Sequence, residues 1–142
     1  MLVRLPHWRS ALSSCIEEAL QRPFEWGRHD CALFAADAVL AMTRVDLAAE
    51  WRGRYSTARG AIRVLRRDGH DDHIACAAGH LPEVHPARAA IGDIMVVETP
   101  EGPALGVLTG AAIAVPGADI LGFMSRVDAR RAFHVPFAGE VV

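Results

Sequence analysis

The sequence predicts an α+β fold, with helices in the first half and an antiparallel sheet in the second. Three observations carry that expectation. Apolar residues recur at helical spacing up to about residue 67. After Pro86, short apolar runs alternate with turn dipeptides instead. Helices first and a strand meander second is the order of an α+β domain, not of alternating βαβ units.

Each element has its own signals. Trp8 to Leu20 reads as a first helix, with Leu12, Cys15, Ile16 and Ala19 on one face and Pro23 as its stop. Arg22 to His29 reads as a loop with two aromatics and a glycine. A second helix is expected from Cys31 to about Met42. It is apolar nearly all round, so it should be buried, and Asp30 stands where an N-cap belongs. Ser56 or Thr57 caps a third helix through about Arg67, and Gly69 ends it. Ile91 to Val97 reads as a strand entered by a turn, and Ala104–Leu108, Ala111–Val115 and Ile120–Ser125 as three more. The turns fall at Glu101-Gly102-Pro103, Thr109-Gly110 and Pro116-Gly117-Ala118-Asp119. Arg130 to Val135 is expected to form a short terminal helix or strand.

With 142 residues, the chain is read as one domain, 1–142. A domain of that size buries a core without disulfides or a metal. The net charge of −2 lacks the basic excess that phosphate neutralisation needs, so nucleic acid is not an expected partner. Three cysteines, Cys15, Cys31 and Cys76, leave at least one thiol free. No apolar run reaches bilayer length, so membrane insertion is not expected. The start, Met1 to Pro6, is not read as a secretory signal.

Cys31 stands out because it opens a buried helix. Free backbone amides and the positive dipole end favour the thiolate there, while the neighbouring Asp30 charge opposes it. A catalytic thiol also needs a base within hydrogen-bond reach. The plainer reading is a small buried hydrophobe.

The segment Trp26-Gly27-Arg28-His29-Asp30-Cys31-Ala32-Leu33-Phe34 resembles the nucleophile motif of NlpC-type cell-wall cysteine peptidases. Ala90 to Val96 resembles that family's Gly-Asp turn into the first core strand, and Ala104 to Leu108 the strand that carries its histidine. The order holds over about three quarters of the chain. The resemblance implies a papain-like fold, with Cys31 as nucleophile and Trp26 and Asp30 as substrate-contacting positions. It is nearest to small domains of phage and gene-transfer-agent tail modules. It therefore implies a tail-tip protein, made in the bacterial cytoplasm and carried on a virion or tail particle. The implied partners are other tail-tip or hub proteins and peptidoglycan, whose stem peptides it would cleave. No cofactor is implied.

The register also puts Ala104 at the base position, and alanine accepts no proton. His29 and His134 are the rewired candidates for that role. The alternative is a catalytically degenerate structural or assembly component of the tail tip with the same fold. Elsewhere, His70, His73, Cys76 and His80 are metal-capable and share one face if helical. Ligands strung along one helix rarely close a tetrahedron, so no metal site is assigned and a polar, half-exposed helix with Cys76 inward is expected. Trp51 and Tyr55 read as a packing anchor, Asp37 as a carboxylate paired with an arginine, and Asp93 as a turn-shaping residue.

Overall fold

A computed structural model describes residues 2–140. Four helices come first: α1 (Trp8–Leu20), α2 (Cys31–Thr43), α3 (Ala58–Arg67) and α4 (His73–His80). Six strands follow: β1 (Glu83–Val84), β2 (Ile94–Thr99), β3 (Gly102–Leu108), β4 (Ala112–Pro116), β5 (Leu121–Ser125) and β6 (Arg131–Phe133). They form one antiparallel sheet in the order β1-β6-β2-β3-β4-β5. The α+β expectation thus holds, with N-terminal helices and a C-terminal sheet.

The helix starts follow their caps. Asp30 Oδ1 accepts from the Leu33 amide at 2.9 Å, Thr57 Oγ1 from Gly60 at 3.0 Å and Asp72 Oδ1 from Ala75 at 2.8 Å. Each satisfies an amide that the helix leaves unpaired. Helix α2 is the centre of the molecule. Leu33, Phe34, Ala38, Val39 and Met42 are almost wholly buried, because α1 covers one side of it and β3 and β4 another. Asp37 is its one charged residue, and Arg52 meets it at 2.7 Å while also gripping Asp46. The arginine pairing expected of a carboxylate in that helix is present.

The sheet is apolar on both faces. Ile94, Val96, Leu105, Val107 and Phe133 join the cluster around α2. The alternate residues Met95, Val97, Ala104, Leu108 and Ala132 build a second cluster. This is the period of two that an extended chain imposes. The four successive buried positions from Ile94 to Val97 therefore belong to a strand covered twice. Gly106 allows β4 to close over β3, since a Cβ there would lie 2.7 Å from the Ala114 carbonyl oxygen. Regular β3–β4 pairing covers only Val107↔Ala114 and Leu108↔Ile113.

Two differences from the sequence reading concern the sheet. The strand expected from Ile91 begins at Ile94, because Gly92 (φ +93°) and Asp93 are used in the turn. The two-residue β1 has no periodicity to detect and exists through its pairing with β6. Among the described residues no helix is long and apolar enough to cross a membrane.

Candidate functional site

The loop before Cys31 is held by backbone geometry. Glu25 and His29 exchange two backbone hydrogen bonds, 2.8 and 2.9 Å. Gly27 adopts φ +83°, and a Cβ there would fall 1.9 Å from the Tyr55 carbonyl oxygen, so only glycine fits. Phe24 and Trp26 pack edge to face at 4.9 Å. Trp26 is 37% exposed.

Asp30 is 1% exposed. Its carboxylate accepts from the Leu33 amide, from the Gly27 amide at 3.0 Å and from the Tyr55 hydroxyl at 2.6 Å. Burial, together with the adjacent Asp30 charge, keeps the Tyr55 hydroxyl protonated far above its usual range. Asp30, expected as a substrate-contacting position, lies buried with these three internal partners. Both carboxylate oxygens are engaged in tying the loop, α2 and Tyr55 together.

Cys31 occupies the first turn of α2, half-buried, and packs against the second sheet cluster that contains Ala104. Burial pushes its thiol up to about 11. The Leu105 amide acts against that shift, the Asp30 charge adds to it, and the amides of Ala32 and Cys31 itself again oppose it. Desolvation outweighs the amides of the helix start, and the thiol stays protonated at neutral pH. Ala104, next in the chain to the Leu105 amide, presents a methyl to this neighbourhood.

Neither candidate histidine serves Cys31. His29 is 2% exposed although it ends a loop. It lines a cavity of about 340 Å3 between α1 and α2, with Cys15, Glu18, Arg22 and Asp37. Both ring nitrogens lack a hydrogen-bond partner among the described residues, so no bond to the Cys31 sulfur exists. Burial, then the Arg22 charge, lowers its pKa and keeps the ring neutral. The chain turns the ring away because its backbone closes the Glu25–His29 bridge, and the side chain then meets Phe34 at 6.0 Å.

His134 lies beyond β6 with both nitrogens on carboxylates: Nδ1 is 2.9 Å from Asp93, and Nε2 is 3.0 Å from Glu140. Burial lowers its pKa, but hydrogen bonds to Glu140 and Asp93 and their charges outweigh that and raise it overall. Asp93 also takes Arg4 Nη2 at 2.8 Å and the amides of Ala90 and Val135, at 0% exposure. Among the described residues neither His29 nor His134 is hydrogen-bonded to Cys31. Asp93 shapes its turn as expected, but its ion pair with Arg4 was missed. No local signal links residues 89 positions apart.

No curated protein and no solved structure matches the chain. A family model described as a domain of unknown function, DUF6950, matches residues 3–135, from the strand of chain that carries Arg4 to the end of the sheet. The loop, the Asp30-Cys31 helix start and the buried Arg4–Asp93 pair all fall inside that match, and the chain belongs to the DUF6950 family.

Proposed function

We propose that this protein is a non-hydrolysing assembly component of a phage-type tail tip, built on a papain-like NlpC-type fold. The fold part is supported by the three motifs in order and by the thiol-bearing helix start lying beside β3. The tail-tip part rests on the sequence resemblance to phage and gene-transfer-agent tail domains. One observation favours an assembly role over a peptidase: the Cys31 thiol is protonated and neither His29 nor His134 hydrogen-bonds to it. Attack on an amide carbonyl requires a base to take the thiol proton and an acid to return it to the leaving amine. Ala104 supplies neither.

A peptidase reading retains one feature. The amides of Cys31 and Ala32 at the head of α2 lie close enough to the thiol to favour negative charge there. Those donors stabilise charge only after a nucleophile has formed.

The test is made in the element that encodes the protein. Deletion is expected to give particles with defective tail tips, and Cys31→Ser to give particles normal in yield and infectivity. Purified wild-type protein is expected to release no soluble fragments from peptidoglycan. Wall solubilisation that disappears in Cys31→Ser would establish the peptidase instead. Absence of the protein from purified particles would remove the tail-tip assignment.

A further inference from the structure

The sequence argument against a metal was that His70, His73, Cys76 and His80 would sit along one helix. The fold removes that objection. Helix α4 begins only at His73, so His70 lies before it, in the turn that follows α3. Gly69 (φ +87°) reverses the chain there, and the His70 amide bonds back to the Leu65 carbonyl at 2.9 Å. The His70 ring then lies over α4. Gly79 makes room for it: a Cβ at that position would stand 3.3 Å from His70 Cε1. Cys76 and His80 are one helical turn apart and share a face.

We propose that His70, Cys76 and His80 form a site for zinc or a similar borderline-soft divalent cation. One ring nitrogen from each histidine and the Cys76 sulfur lie within 4.8 Å of one another. The two rings are 5.8 Å apart, and His80 Nδ1 is 4.0 Å from Cys76 Sγ. Zinc bonds of about 2.0–2.1 Å to nitrogen and about 2.3 Å to sulfur set ligand separations of roughly 3.3–3.6 Å in a tetrahedron. Closing the triad takes a contraction of up to about 1.5 Å and breaks the 2.8 Å contact of His80 Nδ1 with the Cys76 carbonyl oxygen. His70 is half-buried and His80 exposed, so both rings have room to turn. Two imidazoles and a thiolate select zinc over magnesium or calcium, which prefer oxygen.

Binding releases the Cys76 proton to solvent and forms the sulfur–metal bond. Water fills the fourth position. His73 stands outside the group of three, with its Nε2 3.0 Å from the Pro103 carbonyl oxygen. The cation would clip the α3–α4 turn to an eight-residue helix that has little packing of its own against α3.

Cobalt(II) titration of the purified full chain tests the site. Wild type is expected to give a sulfur-to-cobalt charge-transfer band with the visible bands of a tetrahedral ion, both displaced by zinc. His70→Asn and His80→Ala are each expected to weaken cobalt at least about tenfold. Cys76→Ser should abolish the charge transfer, and His73→Asn should leave affinity unchanged. His80 is exposed, so its variant tests the proposal even if Cys76→Ser fails to fold. A wild type without the charge-transfer band, or a band that survives both histidine substitutions, would overturn it.

Discussion

The Cys31 thiol offers the sharpest quantitative test of an unactivated sulfur. Burial raises it to about 11 from a reference of 9.0. At pH 8 the thiolate fraction then falls about 100-fold relative to an unperturbed cysteine. A more basic thiolate is intrinsically more nucleophilic. With a Brønsted slope of about 0.4–0.5, two pH units recover roughly a factor of 6–10. The net expectation is alkylation slower by about tenfold on chemistry alone, with steric shielding adding to it. Cys15, pushed up to about 12, and Cys76, to about 11, should react slowly as well. The assay is iodoacetamide labelling at pH 8, quantified by peptide mass spectrometry in the native protein and in denaturant. All three sites should label faster after unfolding. Native Cys31 reacting faster than unfolded Cys31, with a rate flat from pH 6 to pH 8, would reveal a pre-formed thiolate and refute this reasoning.

Two further outcomes test the buried ion pair and its neighbour. Asp93→Ala strands Arg4, which is 2% exposed, and breaks the contacts to His134, Ala90 and Val135. Removing one partner of such a pair costs about 3–5 kcal/mol, so urea unfolding should show that loss, and a value under about 1 kcal/mol would show that Arg4 finds other partners. His134 gives a pH signature. Its folded pKa is raised, so its contribution is complete below the unfolded value, about 6.5, and is lost as pH rises through the folded one. Between pH 6 and pH 8, wild type should therefore lose stability relative to His134→Gln in parallel urea titrations. Identical pH profiles would mean that the Asp93 and Glu140 contacts do not hold the proton.

What was legible in the sequence is what neighbouring residues decide. The α1 limits, the Asp30 cap of α2 and the Thr57 cap of α3 were readable, because a cap and an amphipathic period act within one or two turns. Strand β1 was not, because Glu83 and Val84 become a strand only by meeting Phe133 and Ala132. The same reason hid the Arg4–Asp93 pair and the burial of His29. Conversely, the metal-capable residues were all seen, but their arrangement was not. Whether His70 belonged to the helix depended on the turn at Gly69 and on the space over Gly79.

The candidate site shows how a loop and a helix start can be fixed by packing while the chemistry of the thiol between them stays undecided. Two residues before Cys31, Gly27 and Asp30, have a packing reason to be what they are. Gly27 is required by the Tyr55 carbonyl oxygen. Asp30 holds α2, the loop and Tyr55 through three hydrogen bonds. Those bonds are shielded from water, so losing the carboxylate would unpair the Tyr55 hydroxyl and two amides at once. A chain that needs this loop to start α2 therefore needs Gly27 and Asp30 for folding alone. Hydrolysis by a thiol requires more, namely a base within hydrogen-bond reach. The cluster that Cys31 packs against contains Ala104, and the nearest histidine in sequence, His29, lines the α1–α2 cavity. The motif thus specifies where a helix begins, and the residue across from it decides whether the thiol can react.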